Sequence, residues 1–189
     1  MPASAEPTRR RRGVRLAVRI VVPVLFAFSL WYLFTHVIRF GYTISGSMEP
    51  TLEIGDYYVV RLHAYDARHR PRRGDIIVFA AADGDAYVKR VVGLSGERFV
   101  VVGGNVLLNG RWLSEPYLKE QPGGGSPVAV TVPEDSVYVM GDNRNVSADS
   151  RDDGPVPGDR IMGRVTRIAW PLDHARVFGA VSYPGLSEP

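Results

Sequence analysis

Cysteine is absent from the 189 residues. No disulfide, thiol nucleophile, or cysteine-based zinc or iron–sulfur site can therefore form. No thiol is open to oxidation either, which suits a protein working outside the cytoplasm. Lysine is nearly absent: of 23 basic residues only Lys89 and Lys119 are lysines. A basic surplus is missing from most of the chain as well. The net charge is +3, but residues 1–38 carry six arginines (9, 10, 11, 12, 15 and 19) against Glu6 alone, while 39–189 carry 17 basic and 19 acidic residues. The basicity is an N-terminal block, and the remainder has no electrostatic reason to bind a phosphate backbone, so nucleic acid is not an expected partner. Helical periodicity is also scarce and is confined to one apolar stretch.

That stretch runs over 20–38, between Arg19 and Arg39, with no formal charge except on His36 when it is protonated. As a helix it would be roughly 28 Å long, about the thickness of a hydrocarbon core. Leu25, Phe26, Phe28, Leu30, Leu33 and Phe34 supply the hydrophobicity, and Pro23 is expected in the first turns, where proline is best tolerated. A cleavable signal peptide would have a shorter apolar region followed by a small-x-small site; here Arg39-Phe40-Gly41-Tyr42 follows. A buried core helix would leave the arginine block unexplained. The expectation is an uncleaved membrane anchor at 20–38, a cytoplasmic basic tail at 1–19 (disordered over 1–12), and an extracytoplasmic domain at 39–189. Phe40, Tyr42, Ile44 and Met48 are expected at the lipid interface. No second span is visible, since 161–183 is broken by Arg164, Arg167, Asp173, His174 and Arg176.

Glycine and proline are plentiful, with 20 and 14 residues. They cut the rest into short apolar runs separated by turns: 57–62, 76–80, 86–92, 99–102, 106–108, 128–132, 137–140 and a long 161–170. Gly103-Gly104 reads as a hairpin turn, and 121–127 as a glycine-rich loop. The fold class is mainly β: an antiparallel barrel or folded sheet, with a smaller β extension at about 98–135.

Two features in this β-rich part carry chemistry. In Ser45-Gly46-Ser47-Met48-Glu49-Pro50-Thr51-Leu52, Gly46 permits unusual backbone geometry and Pro50 restricts Glu49 to an extended conformation. Ser47 is expected on a preorganised bend, which suits a nucleophile, although Ser-Gly is also ordinary turn chemistry. Alternation in 86–92 puts Tyr87, Lys89 and Val91 on one face and Arg90 on the other. A lysine between apolar neighbours either snorkels from a sheet edge or is a desolvated amine able to act as a general base. Lowering its pKa from about 10.4 to about 7.5 takes roughly 4 kcal/mol, within what burial delivers. His63, His69 and His174 are the alternative bases, none in a patterned context.

A third cluster, Gly141-Asp142-Asn143-Arg144-Asn145-Val146-Ser147-Ala148-Asp149-Ser150-Arg151, fails as a calcium loop because Arg144 occupies a ligand position. It reads as a supporting shell, with Asp142–Arg144 and Asp149–Arg151 pairing locally or across the loop and Ser147 free to orient an amine.

These stretches, with Arg-Gly-Asp-Ile-Ile-Val-Phe (73–79) and Tyr-Val-Lys-Arg-Val-Val-Gly-Leu-Ser-Gly-Glu (87–97), resemble the successive motifs of bacterial type I signal peptidases, in order and behind an N-terminal anchor. The resemblance implies a serine endopeptidase with Ser47 as nucleophile and Lys89 as general base. It implies an oxyanion hole from the Ser45 hydroxyl and the Ser47 amide. Ser147 would hold the amine, with Asp142, Arg144, Asp149 and Arg151 as support. Met48, Leu52, Tyr87 and Val88 would line pockets for substrate residues −1 and −3. It implies no metal or cofactor, exported preproteins as substrates, and membrane lipid as surroundings. Asn145-Val146 replaces the more usual Asp-Asn, and Ile44 stands where many members have proline. A self-cleaving repressor of the Ser-Lys type, or a tethered β-domain without chemistry, are the alternatives.

Overall fold

The computed structural model describes residues 7–66 and 68–184, and the chain divides after Ile38 into an N-terminal helical unit and a β-rich unit. The helical unit is α1 (Pro7–Tyr32) continued by a π turn at Leu33–Val37. Residues 7–12, expected without order, belong to this helix, and residues 1–6 lie outside the described residues. Because the helix begins upstream in the arginine block, Pro23 sits well inside it and not in its first turns. Val18–Val37 has a mean hydropathy of 1.9 and none of it is buried, so by length and composition it can cross a membrane. Its apolar side chains have no protein core to enter, which is the condition of a lipid-facing helix.

Among the described residues, twelve strands and one short α-helix follow the N-terminal helix. They are β1 (Ile38–Tyr42), β2 (Tyr57–Leu62), β3 (Ile76–Ala80), β4 (Ala86–Gly93), β5 (Arg98–Val102), β6 (Asn105–Leu108), β7 (Arg111–Trp112), β8 (Pro127–Thr131), β9 (Ser136–Met140), α2 (Ser150–Asp153), β10 (Val156–Pro157), β11 (Ile161–Trp170) and β12 (Arg176–Val177). The larger sheet runs β1-β2-β11-β3-β4-β9-β10, with β12 added beside β11, and the smaller runs β7-β6-β5-β8. The pairings within β2–β4, β9 and β11, and all those of the smaller sheet, are antiparallel. The mainly β class stands, as a folded sheet whose order has two ends.

Gly103 and Gly104 both have positive φ (56° and 96°), the requirement of a tight two-residue hairpin turn, and join β5 to β6 with Val102 opposite Asn105. Alternation in β4 holds. Tyr87 and Val91 pack with Ile77, Phe79 and Val139, while Val88 packs with Ile76 and Val78 on the other face. Met48 and Leu52 belong to this second cluster with Tyr58, Val60, Val165 and Ile168. Each such side chain contributes about 1.5–3 kcal/mol by leaving water. Met48 is 2% exposed, so it faces the core and is no interfacial residue; Phe40, Tyr42 and Ile44 are exposed. A third cluster joins the two sheets through Val92, Phe99, Val101, Tyr138 and Met140.

Candidate active site

Ser47 lies in a single 3-10 turn, Gly46–Met48, entered from extended Ser45 and left through Glu49, whose φ and ψ of −64° and 143° are the extended geometry Pro50 demands. Core anchors on both sides hold this turn: Met48 immediately after Ser47, and Leu52 after the Pro50-Thr51 step, fully out of solvent. From β4, opposite Ile77 of β3, Lys89 reaches across and donates from Nζ to Ser47 Oγ at 2.9 Å. Lys89 is 5% exposed and Ser47 is 8% exposed. Burial pushes the Lys89 amine below the ordinary lysine value, with Asp149 and Asp142 pulling partly the other way. The Tyr87 ring centroid lies 5.5 Å from the amine, and Ser45 Oγ is 3.3 Å from Ser47 Oγ.

The loop after β9 closes against this pair. Asn143 donates from its backbone to the Ser47 carbonyl (3.1 Å) and from Nδ2 to the Gly46 carbonyl (3.0 Å). Gly141 must be glycine, because a Cβ there would collide with the Ser47 carbonyl and the Ser147 side chain. Asp149 caps α2 in a reciprocal capping box with Asp152 and also accepts from the Gly141 N–H at 2.9 Å. Burial raises the Asp149 pKa, but hydrogen bonds from Arg151 and Gly141 outweigh it, so the net shift is downward. Ser150 Oγ accepts from the Val139 N–H at 3.0 Å, satisfying a buried strand donor.

A buried serine hydroxyl hydrogen-bonded to a desolvated amine, beside a second hydroxyl, is an arrangement for acyl transfer without a histidine. His69 pairs with Asp66, and His174 with Asp56, so both are engaged elsewhere. Among the described residues no group of three or more His, Cys, Asp or Glu side chains is placed to hold a metal.

The family model described as "Signal peptidase, peptidase S26" matches residues 14–170. The chain belongs to the signal peptidase family. Its similar proteins include "Probable signal peptidase I-2" of Synechocystis, 37% identical over 166 residues (84% of this chain, 74% of that protein). "Signal peptidase I" of Leptolyngbya laminosa is 41% identical over 155 residues (77% and 75%). "Signal peptidase IB" of Staphylococcus aureus is 32% identical over 171 residues (80% and 88%). A crystal structure of a signal peptidase I from Enterococcus faecalis V583 aligns with a TM-score of 0.46 at 32% identity, over 51% of this chain and 97% of its own.

Membership in a peptidase family makes the chain a hydrolase and sets aside a tethered β-domain without chemistry. Within the signal peptidase motifs, several residues stand differently from the sequence expectation. Asp142 does not pair with Arg144. It takes a two-pronged ion pair from Arg90, Nε to Oδ1 at 2.8 Å and Nη2 to Oδ2 at 2.6 Å. The register explains this: Arg90 lies opposite Met140, and Asp142, two residues further on, comes up beside it. Arg90 also donates to the Gly74 carbonyl and Thr51 Oγ1. Arg144 pairs with Glu115 instead and donates from Nε to the Gly141 carbonyl at 3.0 Å. Asp149 and Arg151 do pair locally, at 2.8 Å. The Ser147 hydroxyl turns to the Ala148 carbonyl at 3.5 Å. Met48 and Leu52 are sealed in the core, which leaves Tyr87 and Val88, both half-buried, with surface to offer a substrate.

The sequence reading missed Glu115, Tyr117 and Asn143, and placed Arg90 only as pointing away. Arg90 carried a signal, since a charge inside an apolar strand needs a partner. Glu115 and Tyr117 carried none, because the arginines they meet lie far off along the chain.

Proposed function

We propose that Ser47 and Lys89 form the nucleophile–base pair of a signal peptidase that removes signal peptides from exported preproteins. What supports this most is the 2.9 Å Lys89–Ser47 contact, with both side chains buried and the amine held below its ordinary pKa. The neutral amine takes the Ser47 proton as Oγ attacks the scissile carbonyl. The oxyanion forms between the Ser45 hydroxyl and the Ser47 amide. The Lys89 ammonium then protonates the leaving amine, and the freed amine activates the water that hydrolyses the acyl-enzyme. Asp142, Arg144, Asp149 and Arg151 fix the loop behind the amine. Small substrate residues at −1 and −3 sit against Tyr87 and Val88, over the core side chains of Met48 and Leu52. No metal or cofactor enters the reaction.

Signal peptidase I relatives and the N-terminal apolar helix fit a membrane-anchored protein. The arginine block orients it, with the N-terminus cytoplasmic and residues 39–189 as the extracytoplasmic catalytic domain beside membrane lipid.

The test is processing of a purified preprotein by the detergent-solubilised chain and its Ser47→Ala variant, with the product N-terminus sequenced. Cleavage after the signal peptide by the wild type, and none by a folded Ser47→Ala, is expected. Turnover by Ser47→Ala at the wild-type rate overturns the assignment.

A further inference from the structure

Between β7 and β8 the chain leaves the smaller sheet, and residues 115–119 return to the groups that flank Ser47 and Lys89. Glu115, with a side chain 2% exposed, engages the Arg144 guanidinium, which in turn holds the Gly141 carbonyl. Tyr117 lays its ring 3.9 Å from Cζ of Arg90, donates its hydroxyl to Glu115 Oε1 at 2.7 Å, and meets the Tyr183 hydroxyl at 3.2 Å. Lys119 donates from its backbone to the Asp142 carbonyl (3.2 Å) and from Nζ to Glu49 Oε2 (2.6 Å). One short passage thus touches the residue after Lys89, the loop behind Ser47, and the turn that carries Ser47.

We propose that residues 115–119 are a clamp that positions the catalytic pair, with Tyr117 keeping Arg90 on Asp142, Glu115 keeping Arg144 on Gly141, and Lys119 tying down Glu49. The proposal rests on the Ser47–Lys89 assignment. Its physics is specific. A guanidinium donates in its plane and leaves its faces open to water; an aromatic ring over one face excludes that water and confines the fork to its carboxylate. The groups around the Lys89 amine are Ser47, the Tyr87 ring, Asp142 and Asp149, the latter two neutralised by Arg90 and Arg151. Uncovering Arg90 lets water weaken its hold on Asp142. The carboxylate charge then acts more strongly on Lys89 and favours the protonated, inactive amine.

The test compares full-length wild type, Tyr117→Phe, Tyr117→Leu and Lys119→Ala in detergent on one preprotein, with Ser47→Ala as the blank. Tyr117→Phe keeps the ring over Arg90 and should stay within about twofold of wild-type kcat. Tyr117→Leu should lose about tenfold or more in kcat with KM changed by no more than about twofold, and its acid limb should move up by about half a pH unit. Lys119→Ala removes an accessible link and should lower kcat about threefold with no change in melting temperature. A folded Tyr117→Leu with an unmoved acid limb overturns the clamp, whatever its kcat, because loss of packing alone does not retitrate the amine. Should Tyr117→Leu fail to fold, wild-type kcat in Lys119→Ala overturns it. Activity in Ser47→Ala would bring down the underlying assignment instead, so the two failures are distinguishable.

Discussion

Replacing Asp142 by asparagine keeps the shape of the site and removes one charge, and it should move stability and pH dependence in separable ways. Asp142 is fully buried, and Arg90 beside it is 4% exposed with its pKa raised: burial opposes the charge, but Asp142 outweighs burial. In Asp142→Asn the guanidinium cannot neutralise itself and stays charged in a closed site. It retains the Gly74 carbonyl and Thr51 Oγ1 but no counter-charge. Breaking a buried pair from one side costs about 3–5 kcal/mol. At roughly 2–4 °C per kcal/mol for a domain of this size, the melting temperature should fall by about 6–20 °C. The catalytic pH profile should move the other way. The Asp142 charge raises the Lys89 pKa, so losing it lets the amine shed its proton at lower pH, and the acid limb of kcat should shift downward even as the plateau falls. Thermal unfolding by circular dichroism and a pH series of preprotein cleavage read the two effects. A melting temperature within about 2 °C of wild type, or an acid limb moved upward, would refute the reasoning.

Gly141→Ala should fold but lose on the order of a hundredfold in kcat, because its Cβ must push the Ser47 carbonyl aside and about 1 Å of misplacement suffices for that. Gly123→Ala, which meets nothing within 4 Å, is the control expected to behave as wild type in the same cleavage assay. For topology, protease added to intact spheroplasts should digest the β-rich unit and spare an N-terminal tag; a protected β-rich unit would reverse the orientation.

Most of the β-rich unit was legible because its strands are apolar runs bounded by turn residues, as at Tyr57–Leu62, Ile76–Ala80 and Ile161–Trp170. The strands that escaped notice are short or exposed. β7, β10 and β12 have two residues each, and β1 follows directly on the apolar span and is mostly exposed, so its aromatics read as the interfacial flank of the anchor. α2 has a capping box but only four residues, too few for a helical period. Ser47 and Lys89 were legible for opposite reasons, one through its bend and the other as a charge out of place. The local pairing expected of Asp142 and Arg144 failed because both are buried, and each found a fork-shaped partner on another strand or loop. Arg90 is 52 residues from Asp142, and Glu115 is 29 from Arg144. Such partners follow from strand register, which sequence spacing does not specify.

Whether Lys89 gives and takes a proton or merely supplies a charge is decided by Lys89→Arg beside Lys89→Ala. An arginine keeps the charge and approximate reach but does not lose its proton in a protein. If Lys89 is the base, the two variants should be equally inactive on a preprotein while the wild type cleaves it, since neither can accept the Ser47 proton. Measurable cleavage by Lys89→Arg above Lys89→Ala would contradict the account and return His63, His69 and His174 to consideration.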